Sequence, residues 1–161
     1  MAEFVFDPPR KRDRKTIASL LYDDMQTIGV PRSMEELLTV ADLLYAAEPS
    51  RCFCRVVRRE RRGPAVGIVI ANVVISVKLA GPSLWLEHLY VDPQWRGHGL
   101  GRELVEQVLD WAEDHGMMGI ELEAYQGNTP AAVLYRSLGF GRLSRERYYF
   151  NFRWVEARDE S

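Results

Sequence analysis

Three glycines at alternate positions, Gly97, Gly99 and Gly101, stand in "VDPQWRGHGLGREL" (residues 91–104), behind Arg96 and ahead of an amphipathic stretch. A helix start exposes backbone N–H groups with no acceptor inside the helix, and the macrodipole adds partial positive charge there. Glycine lets a ligand approach the chain closely and permits the positive φ angles of a tight wrapping turn. Arg96 supplies a formal charge, and Arg102 offers a second. The chemistry that wants such a set is anion recognition, with a diphosphate as the natural guest. Two other phosphate motifs are excluded. No Lys–Ser/Thr pair follows the glycines as a P-loop requires, and the third glycine of G-x-G-x-x-G would fall on Arg102 or Leu104. A turn without a ligand would need one glycine, not three.

No second centre of that kind is legible. Cys52 and Cys54 lie one residue apart with no distant partner, and only His88, His98 and His115 could assist them. Neither a structural disulfide nor a zinc site can be built from this set, so no metal is expected and the thiols suit a reducing cytoplasm. The 161 residues carry a net charge of −2, against the basic excess of a nucleic-acid binder. A chain of that length can bury roughly 70% of its unfolded surface and suits one domain, residues 1–161. The opening "MAEFVFDPPRKRDRK" does not resemble a signal peptide. The apolar tract "AVGIVIANVVISVKLAG" is too short and too interrupted to span a bilayer. The expectation is a cytoplasmic globule with neither a membrane nor a nucleic acid as partner.

The elements that must position the turn can be sketched from periodicity. "EFVF" is a short strand stopped by Pro8 and Pro9, and a helix follows from about Asp13 to Ile28, ended by Gly29. "SMEE" has the form of a capping box at Ser33, opening a helix to about Ala47. "RCFCRVVRR" and "AVGIVIANVVISVKL" flank "ERRGP" as an antiparallel hairpin, whose Arg58, Arg59, Arg61 and Arg62 read as a solvated tip, with a partner or anionic-ligand patch as the alternative. "SLWLEHLYV" (83–91) alternates as a strand. After the glycines, Leu100, Leu104, Val108, Trp111 and Ala112 form one stripe of a long helix, closed by His115 and Gly116. "MGIELEAY" is a strand and "NTPAAVLYRSLGF" a helix, with Asn128 or Thr129 as cap and Gly139 at its end. Two short strands near "GRL" and "RERYYFNFRW" are expected to close an α+β fold.

"QWRGHG" with Leu100 and Gly101 resembles the Q/R-x-x-G-x-G/A signature of the GNAT superfamily of acyl-CoA-dependent N-acetyltransferases. "NTPAAVLYRSLGF" resembles that superfamily's N-x6-Y-x3-G-[FA] helix, with Asn128 and Tyr135 at the matching interval. The two motifs keep the order and spacing of the superfamily, and the likeness is strong over residues 65–150 and weak over 1–60. Within it, "LWLEHLYVDPQWRGHGLG", "RYYFNF" and the opening "FVF.PP" are most similar to the diamine (spermidine/spermine) acetyltransferase branch. His88 departs from that branch, which commonly has an aspartate there.

The resemblance implies a GNAT fold: a mixed, mostly antiparallel sheet of six to seven strands flanked by about four helices. It implies acetyl-CoA as cosubstrate, no metal, and a small primary amine, a diamine or polyamine, as acceptor. The diphosphate would lie on amides of Arg96, Gly97, His98, Gly99, Leu100, Gly101 and Arg102. The pantetheine arm would pair like an added strand with Leu89, Tyr90 and Val91, helped by Asn128, which can also cap its helix. Tyr135 is implied as general acid, since a phenol near pKa 10 can donate to a thiolate of pKa about 8.5. Glu87 would bind the ammonium and relay its proton. Strict strand alternation sends His88 to the other face, making it the weaker base, and Glu121 and Glu123 could add acidity. Tyr22, Asp23 and Asp24 are possible acceptor contacts of undecided direction. With no motif-linked base near Cys52 or Cys54, direct transfer in a ternary complex is favoured over a covalent enzyme intermediate. A protein N-terminus or lysine, an aminoglycoside or an amino acid as acceptor, and a non-catalytic CoA sensor remain open. The family's habit and the β-prone late strand suggest a homodimer.

Overall fold

From Cys52 to Val91 the chain carries β-branched and aromatic runs broken by turn residues, and it folds there into three long antiparallel strands. The structure, a computed structural model, describes residues 3–153. Its strands are β1 (Val5–Asp7), β2 (Cys52–Arg58), β3 (Ala65–Ser76), β4 (Gly81–Val91) and β5 (Ile120–Leu122). They form one sheet in the order β1-β2-β3-β4-β5, with every pairing antiparallel except β4 with β5. The helices are α1 (Arg14–Ile28), α2 (Met34–Ala46), α3 (Leu100–Asp114) and α4 (Thr129–Ser137). The chain divides after Gly127 into two compact units, the first holding the whole sheet with α1–α3 and the second holding α4.

Local signals account for the element ends. Ser33 Oγ accepts from the Glu36 amide at 3.1 Å while a Glu36 carboxylate oxygen accepts from the Ser33 amide at 2.8 Å, so the capping box forms as expected. Gly29 closes α1 in the left-handed conformation, φ 74°. Along the central strand β3, residues 65–71 are all buried, as a strand covered on both faces must be. One face packs Cys54, Val56, Ile68, Ile70 and Tyr90 against Ile17, Leu20 and Leu21 of α1 and Leu37 and Ala41 of α2. Alternation sends Phe53 to the other face, where its ring lies 5.5 Å from Trp111 of α3. That helix buries Leu100, Leu104, Val105, Val108 and Ala112, the expected stripe with Val105 added and Trp111 half-buried.

Two expectations are corrected. The sheet has five strands among the described residues, not six or seven. Residues 141–151 have no regular structure, Phe152 and Arg153 are helical, and Trp154, the last residue of the expected strand, lies outside the described residues. Tyr148, Tyr149, Phe150 and Phe152 are all exposed. Strand propensity expresses itself through cross-strand neighbours, and the unit containing these aromatics has no described strand to pair with.

The second correction concerns the basic tip. Arg58 is fully buried and does not belong to the solvated tip. Its guanidinium donates twice to Asp13, at 2.8 and 2.9 Å, and at 3.0 and 3.1 Å to Asp7, with a further bond to the Gly63 carbonyl. Burial alone would raise the Asp13 carboxyl. The hydrogen bonds from Arg58 and the Arg10 amide outweigh it and hold the group below its ordinary value. This cluster ties β1, the turn before α1 and the end of β2 together. Arg58→Met should cost about 3–5 kcal/mol in urea unfolding, because it strands a buried carboxylate, and Arg58→Met/Asp13→Leu should recover more than half of that. A cost below about 1 kcal/mol for the single variant would show the cluster to be peripheral.

Candidate functional site

The register between β3 and β4 slips at one point. Ile70 lies opposite His88 and Ala71 opposite Leu86, which leaves Glu87 as an extra residue with no partner on β3. Strict alternation therefore fails across the bulge. Trp85 and His88, three apart on β4, lie opposite Asn72 and Ile70, two apart on β3, and so share a face. The other edge of β4 changes at the same place. β5 pairs with Leu84, Trp85 and Leu86 and goes no further. Beyond the bulge, Leu89, Tyr90 and Val91 pair with β3 on one side and with no strand on the other among the described residues of the first unit. That segment can accept an added extended chain. Glu87 itself is exposed, with a carboxylate oxygen accepting from the Trp85 indole N–H at 3.0 Å.

Past Val91 the chain makes a short 3-10 turn, Pro93–Trp95, its amide at Gln94 capped by Asp92, and reaches the glycines. Gly97 (φ 81°) and Gly99 (φ 75°) are left-handed, while Gly101 already lies inside α3. A Cβ at Gly97 or Gly99 would meet nothing within 4 Å, so within the folded chain the backbone conformation, not crowding, demands glycine. Gly99 is the N-cap of α3 and has no side chain to cap it, so the first-turn amides point to solvent at a helix N-terminus. Arg96 donates from Nε to the Val91 carbonyl at 3.0 Å, and its guanidinium carbon lies 5.4 Å from the Tyr90 ring centroid. That links the turn to the open part of β4. Exposed His98 holds its Nδ1 near the Trp95 and Arg96 carbonyls, and Arg102 pairs with Glu106 at 3.0 Å. Leu100 is buried as the first residue of the stripe.

In the second unit, Asn128 caps α4, its Oδ1 accepting from the Ala131 amide at 3.3 Å. Tyr135 lies on that helix, its ring 5.6 Å from Phe140 in an edge contact, and burial pushes its phenol above the ordinary value. A phenol so placed remains a proton donor at neutral pH.

Sequence reasoning missed the partner of His88. The Asp24 carboxylate of α1 comes within 3.1 Å of His88 Nε2, both side chains largely buried, although the approach does not make a hydrogen bond. Burial pushes the imidazole below its ordinary value and the Asp24 carboxyl above its own, against the pull each charge exerts on the other. The two residues are 64 positions apart, and nothing local in the sequence signals the contact. Of the other α1 candidates, Asp23 is exposed and Tyr22 packs on the core. At the opposite end of β4 from the glycines, a cavity of about 270 Å³ is lined by Val74, Ile75, Val77, Lys78, Trp85 and Glu121 among others. Glu123 is exposed. Cys52 and Cys54 are both raised by burial, Cys54 to about 12, so neither is an activated thiolate. Among the described residues no cluster could hold a metal ion, and no helix is long and apolar enough to cross a membrane.

Comparison with known proteins places this geometry. Residues 15–140 match the model of the acetyltransferase (GNAT) family. A thialysine N-epsilon-acetyltransferase of Sus scrofa is 32% identical over 74 residues, 46% of this chain and 44% of the relative. A [ribosomal protein bS18]-alanine N-acetyltransferase of Escherichia coli is 38% identical over 84 residues, 52% of this chain and 55% of the relative. The chain thus spans about half the length of these curated relatives. Among solved structures, a possible acetyltransferase from Clostridium difficile superposes with a TM-score of 0.77 over 92% of this chain and 97% of that one, at 22% identity, a likeness of fold.

The buried His88 gives a pH signature. An unfolded imidazole takes up its proton near 6.5, whereas the folded one does so only at lower pH, so the unfolded state binds more protons in that window. The His88 contribution to stability should therefore fall as pH drops from about 7.5 to about 5.5, opposed by the raised Asp24 carboxyl, and His88→Gln should flatten or reverse that part of the slope. Melting midpoints of the two proteins across this range check it. Parallel slopes would contradict the assignment.

Proposed function

The chain belongs to the acetyltransferase (GNAT) family, and from that premise we propose that it is an N-acetyltransferase moving the acetyl group of acetyl-CoA to the primary amine of a small molecule. On this reading the whole chain serves as one acetyltransferase domain. The observation that carries the reading is the continuity of three features on one strand. β4 bulges at Glu87, offers an open edge from Leu89 to Val91, and runs straight into the uncapped N-terminus of α3 through two left-handed glycines. An edge for an extended amide-bearing arm and a cradle for a diphosphate are thus joined in the order the coenzyme needs them.

The roles follow. Amides from Arg96 through Gly97, His98, Gly99, Leu100 and Gly101 to Arg102 hold the diphosphate, and Leu89, Tyr90 and Val91 pair with the pantetheine arm. Asn128 has its oxygen engaged in capping, which leaves its NH2 as a donor for the same arm. Glu87 binds the acceptor ammonium and relays its proton through water, and Tyr135 protonates the departing thiolate. Thiols that burial holds in their protonated form, Cys54 buried and Cys52 half-buried, support direct attack without a covalent enzyme intermediate. A diamine or polyamine is the first acceptor to test, with Glu121 and Trp85 lining the cavity at the other end of β4. The match to a ribosomal-protein alanine acetyltransferase favours a second reading, transfer to a polypeptide N-terminus.

Incubation with acetyl-CoA and a panel of diamines, amino acids and N-terminal peptides, followed by mass spectrometry, should show one amine class gaining an acetyl group. Tyr135→Phe should lower turnover by roughly a hundredfold while leaving coenzyme A affinity unchanged. Wild-type protein that binds coenzyme A and acetylates nothing in the panel would favour a sensor instead.

A further inference from the structure

We propose that the β2–β3 hairpin tip and the turn before α3 together form a second anion subsite, taking the phosphate on the ribose of coenzyme A. The inference rests on the coenzyme reading above and extends it to residues that the glycine turn does not include.

Three segments far apart in sequence converge there. From the hairpin, the Arg59 guanidinium carbon lies 5.4 Å from the Trp95 ring centroid. From the turn, the rings of Trp95 and His98 are 6.2 Å apart, and His98 sits between the two left-handed glycines. From the N-terminal segment, Phe4 meets both rings edge-on at 6.0 and 5.9 Å. Arg10 and Arg12 fasten the hairpin from the same side, both donating to the Arg61 carbonyl, at 3.2 and 2.9 Å. The diphosphate cradle, His98, Trp95 and Arg59 thus form one contiguous track.

The charge along this track is sorted in a telling way. Arg58 is consumed by Asp13 and Asp7, and Arg10 also pairs with Asp7. Arg59, Arg61 and Arg62 are exposed, with Glu60 the one carboxylate among them, and Arg12 adds a further exposed cation. A tip that only needed solvation would leave Arg59 free to wander. Here the indole face of Trp95, in the turn that leads to the glycines, holds its guanidinium. A guanidinium fork matches phosphate oxygens in geometry as well as charge, and the ring that Arg59 lies on, Trp95, precedes the first left-handed glycine by two residues.

The test compares coenzyme A with dephospho-coenzyme A, which lacks only the ribose phosphate, by calorimetry on the full chain. Wild-type protein should prefer coenzyme A by roughly tenfold or more, the worth of one charge-assisted contact. Arg59→Gln should cut that preference severalfold, and Arg59→Gln/Arg62→Gln should abolish it, with affinity for dephospho-coenzyme A unchanged in both. Both side chains are exposed, so the variants should melt like wild type. Equal wild-type affinity for the two coenzymes, or a preference that survives both substitutions, overturns the subsite and leaves the coenzyme reading standing. Binding of neither coenzyme by wild type overturns that reading and the subsite with it.

Discussion

The unequal pairing of β4 is the constraint on which the rest of the molecule turns. On one side β4 is matched to β3 along nearly its whole length, so its position is fixed by a continuous ladder. On the other side β5 holds it for three residues and stops, just where the bulge puts in Glu87. A bulge bends its strand and sharpens the local twist, so it fits the parting of the two strands at that point. The length from Leu89 to Val91, left without a second strand among the described residues of the first unit, is tolerable because β3 and the helices on both faces of the sheet support it. Its free edge polar groups are then a resource for a ligand instead of a liability.

The same economy appears in the arginines. The four arginines of "RRERR" look alike in sequence, yet one of them lies in the core with two carboxylates while the other three stay in solvent. Burying a guanidinium is tolerable only when its donors are met, and Asp13, Asp7 and the Gly63 carbonyl meet five of them. The cluster sets where the hairpin leaves the sheet. It thereby sets where Arg59 stands relative to Trp95, so a structural ion cluster positions the residue to which the subsite proposal gives a functional task.

Much of this was legible beforehand, for reasons that differ by element. The stripe of α3, the capping box at Ser33 and the glycine stop of α1 are local features, in which sequence spacing and physical contact coincide. The glycine turn was legible too, because a left-handed residue is almost a chemical requirement at Gly97 and Gly99. The late aromatic run misled. "RYYFNF" has the composition of a strand, but a strand also needs a strand beside it, and the second unit, which carries this run, has no described strand. His88 misled in another way, since a single extra residue at Glu87 cancels the alternation from which its face had been inferred.

By itself, then, the sequence determined the class of fold, the elements around the glycine turn and the residues able to hold an anion, because those depend on neighbours within a few positions. Tertiary structure alone decided that His88 meets Asp24, that Arg58 is buried between two aspartates, and that Arg59 lies on Trp95. Each of these contacts joins residues tens of positions apart. Their existence follows from the register of strands and the seating of α1 on the sheet, quantities that arise only when the whole chain has closed on itself.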